Sequence, residues 1–236
     1  MKVFVIAPVR TTSTRLRGKI FWPLAGKSML QNFIERIQRA KSIDGIAIAC
    51  PPRDLHEFTE FTKDWGITVV APDVEEWDLI GRLYVAGKMV RADLIIRICA
   101  DNPCVEPEEI DSLVLHSQFL ESPCRELRMN SEHLNLEFDG FGGELYTLEM
   151  LEWMDRVIKD PFYREHPHQI WGELRAYSYC GKMYPRGFRL EVNTEEEYLK
   201  LKDIYDHFGH NRFSVMEVME YLSEKDLAER PLSVGI

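Results

Sequence analysis

Val3-Phe4-Val5-Ile6-Ala7 is an apolar run, and it leads into the basic, hydroxyl-rich segment Arg10-Thr11-Thr12-Ser13-Thr14-Arg15-Leu16-Arg17-Gly18-Lys19, here called the basic loop. The apolar run predicts a buried strand. Loops at the carboxyl ends of parallel strands form the ligand crevice of α/β proteins. Arginine and lysine are the side chains that bind phosphate oxygens. The basic loop therefore indicates phosphate binding, and a solvated loop that balances acidic neighbours stays open as the alternative.

The basic loop matches neither of two common nucleotide-binding patterns. A Walker A loop would need glycine at position 13 and serine or threonine at position 20, where the chain has Ser13 and Ile20. The dinucleotide pattern G-x-G-x-x-G does not occur in the sequence. The spacing therefore excludes both motifs.

Strand-like and helix-like patterns alternate along the chain. Strands are predicted at 3–7, 45–50, 67–70 and 94–98, with helices at 28–41, 54–65, 76–90 and 107–121. The second half predicts strands at 126–130, 144–146, 176–180 and 188–192 and helices at 147–158, 194–208 and 214–224. Strands that alternate with helices indicate βαβ units and a mostly parallel sheet. Thr194 is a good helix N-cap and Gly209 a good helix terminator, and we expect one domain over 1–236.

Composition excludes several classes of protein. The 236 residues carry 29 Lys+Arg against 39 Asp+Glu, a net charge of −10, which disfavours nucleic-acid binding. No apolar run approaches the ~20 residues that span a bilayer. The positive charges that follow the first apolar run argue against a signal peptide. Five cysteines, an odd number in a chain of this size, favour a reducing compartment, so we expect a cytoplasmic protein without a membrane partner.

Four sequence segments together resemble a known family. They are Ser13–Lys19 with Pro23-Leu24-Ala25-Gly26-Lys27-Ser28-Met29-Leu30, then Arg97-Ile98-Cys99-Ala100-Asp101-Asn102-Pro103 with Pro107-Glu108-Glu109-Ile110-Asp111, then Arg164-Glu165-His166, and Arg189-Leu190-Glu191-Val192-Asn193-Thr194. In this order, over about 200 residues, they resemble the CMP-sugar synthetases, which include the 3-deoxy-manno-octulosonate and acylneuraminate cytidylyltransferases, and most closely the spore-coat-polysaccharide branch. The resemblance implies a Rossmann-like, three-layer αβα nucleotide-diphospho-sugar transferase fold of the GT-A-like kind.

The resemblance also implies an activity. Members of the family transfer a cytidylyl group from CTP to an acceptor and release pyrophosphate. For this chain the expected acceptor is an acidic sugar or sugar phosphate used in surface polysaccharide synthesis. A divergent homologue that binds a nucleotide or sugar nucleotide without transferring it is the alternative, favoured by departures from the family pattern at Thr12, Arg17 and Asn193.

The resemblance carries site residues onto this sequence. The nucleotide would be bound by the Ser13 hydroxyl, by three cations and by one aspartate. The cations and the aspartate, without Ser13, are the predicted catalytic set: Arg10, Arg15, Lys19 and Asp101. Mg²⁺ would be held by Asp101 with Glu191 and Asn193, where the family has aspartate at the last position. A cap for the helix at 107–121 is the alternative role of Asp101.

Two further groups follow from the same resemblance. Arg82 matches an arginine expected near the cytosine base, and an ordinary helix-surface arginine is the alternative. Five residues would form the acceptor side of the site: Glu144, Arg164, Glu165, His166 and Arg189. Relatives are commonly homodimers, so a homodimer is expected here, with residues 130–185 as the candidate acceptor or dimerisation arm.

Overall fold

The computed structural model describes residues 1–12, 16–117, 127–128, 138–139, 143–170, 177–178 and 188–229. Within them the strands are β1 (Val3–Pro8), β2 (Pro23–Leu24), β3 (Lys27–Ser28), β4 (Gly45–Ala49), β5 (Thr68–Val70), β6 (Leu94–Arg97), β7 (Leu127–Arg128), β8 (Phe138–Asp139), β9 (Glu144–Thr147), β10 (Tyr177–Ser178) and β11 (Phe188–Arg189). The helices are α1 (Met29–Ile37), α2 (Leu55–Thr62), α3 (Leu79–Val90), α4 (Pro107–Ser117), α5 (Leu148–Val157), α6 (Pro161–Glu165), α7 (Glu195–Phe208) and α8 (Val215–Glu229).

Seven strands form one central sheet in the order β10-β7-β9-β6-β1-β4-β5. β1 lies between β4 and β6 and pairs with both in parallel, and β4 pairs in parallel with β5. β9 runs antiparallel to β6 and β7, while β10 is parallel to β7. The predicted α/β class with a mostly parallel sheet is therefore confirmed.

The core lies on both faces of this sheet. Successive residues of β1 face opposite sides, so the fully buried Val5 belongs to one core cluster and its neighbour Ile6 to the other. Helix α1 contributes Phe33 to the first cluster, and α3 and α5 contribute Leu83 and Leu151 to the second. Burial on both faces explains why the strands are continuous apolar runs in the sequence.

Two predicted helix boundaries are confirmed. The Thr194 hydroxyl accepts a hydrogen bond from the backbone N–H of Glu197, and the Glu197 carboxylate reaches back to the backbone N–H of Thr194, which forms a capping box. α7 ends at Gly209, whose φ of 69° lies in the left-handed region that glycine tolerates best.

Each predicted strand and helix has a counterpart, with bounds generally a few residues shorter. The described residues add the β2–β3 hairpin, the two-residue strand β8 and the short helix α6, which the sequence pattern did not indicate. Within the candidate arm, residues 130–137, 140–142, 171–176 and 179–185 lie outside the described residues, so the arm and the single domain stay predictions. The described helices include none that is both long and apolar enough to cross a membrane.

Candidate active site

A cleft of about 180 Å³ lies at the carboxyl ends of β1 and β6. Arg10 comes two residues after β1, and Asp101 follows β6 by four residues. Lys19 and Asn193 line the same cleft, from the end of the basic loop and from the segment before α7. The fold thus brings together four of the residues that the sequence singled out, although they are up to 183 positions apart.

Lys19 links the three chain segments at this cleft. Its Nζ donates to Oδ2 of Asp101 at 2.9 Å and to the backbone oxygen of Val192 at 2.5 Å. The Lys19 side chain is 12% exposed and that of Asp101 25% exposed. The backbone N–H of Val192 in turn donates to the backbone oxygen of Asp101 at 2.9 Å. The cleft is therefore lined by an ion pair whose two side chains are mostly shielded from solvent.

The backbone conformation at Gly18 sets the position from which the Lys19 side chain extends. Gly18 has a φ of 68°, a conformation that side chains with a Cβ adopt only at a cost. It leads into a short 3₁₀ turn over Lys19–Phe21, in which Ile20 is buried in the core. Arg17, on the other side of Gly18, is exposed and does not line the cleft.

Asn193 lies at the cleft because α7 begins beside it. Its backbone N–H donates to Oε2 of Glu197 at 2.6 Å, the same oxygen that accepts from the backbone N–H of Thr194. The capping box at the start of α7 therefore positions Asn193 as well as capping the helix. Glu191, two residues earlier, is half-buried and does not line the cleft.

Glu76, between β5 and α3, joins a cluster at the other side of Arg10. Its Oε1 accepts from Arg10 Nη1 at 2.8 Å and from the Thr12 hydroxyl at 3.2 Å, and its Oε2 accepts from Arg53 Nη2 at 2.5 Å. Partial burial acts to raise the pKa of Glu76, but the hydrogen bonds from Arg53 and Arg10 outweigh it and hold the pKa below its usual value. Arg53 Nε also lies 3.8 Å from a carboxylate oxygen of Asp54, so the two guanidinium groups of the cluster are balanced by two carboxylates.

Arg82 lies beside this cluster, near the start of α3. It is 6% exposed and donates to the backbone carbonyl of Glu76. Burial lowers the pKa of Arg82, an effect that the Glu76 carboxylate opposes. Arg82 is therefore a buried cation rather than a surface residue of the helix, and its contact with cytosine stays a prediction.

Glu144 is engaged with side chains of the central sheet. It faces Arg97 across the β6–β9 pair, and Arg97 Nη1 donates to its Oε1 at 2.5 Å. The hydroxyl of Tyr146 donates to the other carboxylate oxygen at 2.6 Å. Both oxygens of Glu144 thus have partners within the protein.

Arg164 is held by carboxylates and carbonyls at the start of α3 and the end of α5. It donates twice to Asp78, at 2.8 and 2.6 Å, and once to the Asp155 carboxylate at 2.6 Å. Nη1 donates to the backbone oxygens of Asp155 and Ile158. Every guanidinium nitrogen of Arg164 therefore has a partner inside the protein. This arrangement favours a structural role, because binding an acceptor carboxylate would require these bonds to break.

The remaining predicted residues are distributed as follows. Glu165 is exposed, and the ring of the half-buried His166 packs against Phe162 at 5.3 Å between centroids. Arg189 lies in β11, where its backbone pairs with β8, and nothing is described of its side chain. Ser13 and Arg15 lie outside the described residues.

The family model for cytidylyltransferases matches residues 4–228. The chain belongs to the cytidylyltransferase family. Membership supports nucleotidyl transfer from CTP as the activity of this chain.

Three relatives illustrate the likeness. A solved cytidylyltransferase from Leptospira borgpetersenii has a TM-score of 0.86 and 25% identity, with both chains fully covered. The spore coat polysaccharide biosynthesis protein SpsF of Bacillus subtilis is 24% identical, with 88% of each chain covered. A solved CMP:2-keto-3-deoxy-manno-octonic acid synthetase in complex with CTP has a TM-score of 0.65 and 16% identity, covers 88% of this chain and is itself 99% covered, which shows the shared fold.

The oxygen atoms of the cleft residues can be compared with the ligands that Mg²⁺ prefers. Asp101 offers carboxylate oxygens and Asn193 an amide oxygen, the hard ligands that this ion prefers. The described residues contain no group of three His, Cys, Asp or Glu side chains placed to hold a metal. Mg²⁺ usually takes one or two carboxylates together with substrate phosphates. The residues therefore fit an ion that binds together with a triphosphate.

Two residues of the cluster beside this cleft were missed by the sequence analysis, Arg53 and Glu76. A signal for Arg53 existed, because it follows β4 and the carboxyl ends of neighbouring parallel strands meet at one edge of the sheet. Glu76 lies in an irregular segment of several acidic residues, and the sequence offers no way to tell which of them faces Arg10.

Proposed function

We propose that this protein transfers a cytidylyl group from CTP to an acidic sugar or sugar phosphate in a Mg²⁺-dependent reaction that releases pyrophosphate. The convergence of Arg10, Lys19, Asp101 and Asn193 in one cleft is the observation that carries the proposal. The named relatives, a spore coat polysaccharide biosynthesis protein and a CMP:2-keto-3-deoxy-manno-octonic acid synthetase, support a sugar acceptor and a role in surface polysaccharide synthesis.

In the proposed reaction an acceptor oxygen forms a bond to the α-phosphorus of CTP. The bond from that phosphorus to the oxygen bridging to the β-phosphate breaks, and pyrophosphate leaves with the electron pair. Catalysis of such transfers depends mainly on positioning and on neutralising charge. Arg10 and Lys19 both line the cleft and provide cations, and Arg15 is assigned to the same task on the family resemblance.

Asp101 and Asn193 would hold Mg²⁺ in the cleft, and Glu191 is assigned to the same ion on the family resemblance. When bound, the ion would neutralise charge on the phosphate oxygens. In the structure Lys19 lies against Asp101 at 2.9 Å, so the carboxylate already has a cationic partner. The hydrogen bond from the Lys19 ammonium therefore orients the Asp101 carboxylate in the cleft.

The acceptor side and the assembly remain part of the proposal. Glu144, Glu165, His166 and Arg189 are assigned to the acceptor on the family resemblance. Arg164 is kept out of this group, because its donors are all used within the protein. A homodimer that uses residues 130–185 as an arm completes the proposal.

Nucleotide binding tests the proposal without an acceptor. CTP, UTP, GTP and ATP are titrated by calorimetry, each with and without Mg²⁺. We expect tighter binding of CTP than of the other three, and we expect Mg²⁺ to strengthen it. An acceptor screen then follows pyrophosphate release, beginning with eight-carbon and nine-carbon keto-acid sugars. Binding that ignores both the base and the metal would contradict the proposal.

A non-catalytic nucleotide-binding homologue is the second candidate function. The observation that favours it is the pairing of a single carboxylate, Asp101, with the neutral amide of Asn193 in the cleft. This candidate predicts nucleotide binding without pyrophosphate release in the presence of every acceptor tested. Release that is stimulated by an acceptor would exclude it.

A further inference from the structure

A second cavity lies apart from the cleft and shares none of its lining residues. It encloses about 340 Å³ between the β2–β3 hairpin, α1 and the connection from α7 to α8. This volume is within the range of small-molecule sites, which begins at about 300 Å³. Charged and ionisable side chains dominate its lining, namely Lys27, Glu35, Arg39, His210 and Arg212.

The acidic residue of this cavity is already engaged. Glu35 accepts from Lys27 Nζ at 2.6 Å and from the Asn211 amide at 2.7 Å. Partial burial acts to raise the pKa of Glu35, but the hydrogen bonds from Lys27 and Asn211 lower it, so the carboxylate is ionised. Lys27 and Glu35 neutralise each other, and the remaining charge of the lining is positive.

Arg39 and Arg212 hold that remaining charge. Arg39 is half-buried and donates through Nη1 to the backbone oxygen of Asn211 at 2.8 Å. Within the described part of the chain its Nε and Nη2 make no hydrogen bond. The exposed Arg212 side chain likewise makes neither a hydrogen bond nor an ion pair with the described residues.

The surroundings of Arg39 make its charge costly. Three residues earlier in the chain, the fully buried Arg36 donates hydrogen bonds to backbone oxygens. Its Nη2 also donates to Oε1 of Glu106 at 3.1 Å. Burial lowers the pKa of Arg39, and the nearby charges of Arg36 and Arg212 lower it further, with Glu108 opposing them. A ligand with negative charge would offset this repulsion.

We propose that this cavity binds the phosphate group of a small molecule, with Arg39 and Arg212 as the phosphate-binding residues. A guanidinium group offers two parallel donors to phosphate oxygens. Both arginines line the cavity and have donors without a partner among the described residues. His210, exposed at the rim, contributes a further donor. The site would be independent of nucleotidyl transfer, because none of its residues belongs to the cleft of Lys19 and Asp101.

Calorimetry without Mg²⁺ tests this site with two probes, inorganic phosphate and glycerol 3-phosphate, at constant ionic strength. The variants are Arg39→Gln and Arg212→Gln in the cavity, Lys19→Ala in the cleft, and Arg156→Gln as a matched change of charge. Arg156 is exposed on α5, outside both sites. Arg212 is exposed as well, so its substitution should leave folding intact.

We expect saturable binding of at least one probe by the wild-type protein. The dissociation constant should rise roughly tenfold or more in Arg39→Gln and Arg212→Gln, as expected for a lost charged hydrogen bond. It should stay unchanged in Lys19→Ala and Arg156→Gln. Much tighter binding of glycerol 3-phosphate would identify the ligand as a phosphorylated small molecule, and equal binding would identify free phosphate.

Three results would overturn the proposal. They are the absence of saturable binding for both probes, a loss of binding confined to Lys19→Ala, and an equal weakening in Arg156→Gln and the cavity variants. The second result would place the anion in the cleft, and the third would reduce the effect to net charge. A failure of CTP to bind would leave these outcomes unaffected, so this test and that of the proposed function are separate.

Discussion

Asp101 combines two roles through different atoms. Its carboxylate accepts from Lys19. Its backbone oxygen accepts from the backbone N–H of Val192 and so links the segment before α7 to the loop that follows β6. A substitution confined to the carboxylate therefore changes the chemistry of the cleft and leaves the backbone link in place.

Asp101→Asn should lower the rate of pyrophosphate release by at least about 100-fold, the scale typical for loss of one electrostatic group in an active site. Circular dichroism and urea unfolding should show an intact fold, because asparagine retains an acceptor for Lys19. Asp73→Asn, at an exposed position outside the cleft, is the control. Wild-type turnover in Asp101→Asn would remove Asp101 from the catalytic residues.

Asn193→Asp should strengthen Mg²⁺ binding. A second carboxylate beside Asp101 increases the negative charge that the ion meets. The Mg²⁺ concentration that half-saturates CTP binding should fall several-fold, measured by calorimetry at a series of metal concentrations. An unchanged Mg²⁺ requirement would mean that the side chain at position 193 does not face the ion.

Arg10 and Arg17 provide a matched pair in the basic loop. Arg10 lines the cleft, whereas Arg17 is exposed outside it. Arg10→Gln should weaken CTP binding by roughly 10- to 100-fold, the cost of losing charged hydrogen bonds, and Arg17→Gln should change it little. Equal weakening in calorimetry would assign the effect to the overall charge of the loop.

At the level of single elements, α7 connects stability to the cleft. The capping box formed by Thr194 and Glu197 also holds the backbone N–H of Asn193. The start of this helix is therefore part of the support of the site.

Thr194→Ala should lower the free energy of unfolding by about 1 kcal/mol, because it removes the N-cap acceptor. Urea unfolding measures the change. Thr59→Ala, at an exposed position inside α2, is the control and should cost less, since alanine is the better helix former. Equal losses in the two variants would contradict the role of the cap.

Across the whole molecule, several carboxylates have lowered pKa values. The hydrogen bond from Lys225 lowers the pKa of Asp203 below its ordinary 3.8. Hydrogen bonds from arginines lower that of Glu76 below its ordinary 4.5, against partial burial. A carboxyl whose pKa is lower in the folded than in the unfolded state stabilises the fold above its unfolded pKa. That stabilisation is lost as the pH falls through the folded value.

The free energy of unfolding should therefore fall as the pH decreases below about 4.5. Urea unfolding at a series of pH values from neutral to about 3.5 checks this. Asp203→Asn should flatten part of the pH dependence, because one of the contributing groups is gone. A free energy of unfolding that is constant down to the lowest pH would contradict the expectation.

Most of the fold was predictable because local patterns specify it. The apolar runs that form β1, β4 and β6 are continuous because both faces of the sheet are covered. The spacing of apolar residues and the capping residues at helix ends predicted the helices between them. The β2–β3 hairpin escaped prediction because two-residue strands have no detectable period. α6, with five residues, is likewise too short for one.

The sequence predicted which residues form the site better than it predicted the contacts between them. Lys19 and Asp101 were singled out from the sequence, but their 2.9 Å contact depends on the approach of segments 82 positions apart. Arg164 shows the opposite case. The sequence marks it as a cation for an acceptor, and only packing of α3 against α5 and α6 surrounds it with Asp78 and Asp155.

The linear chain thus carries the class of fold, the basic loop and the chemical types of the cleft residues, because periodicity, caps and charge are local properties. Which cation meets which carboxylate was settled by tertiary structure. Glu76 accepts hydrogen bonds from Arg10 and Arg53, and Arg39 and Arg212 line the same cavity although they are far apart in sequence. These pairings join strand ends and loops that are distant in sequence, and only the assembled sheet brings them within hydrogen-bonding distance.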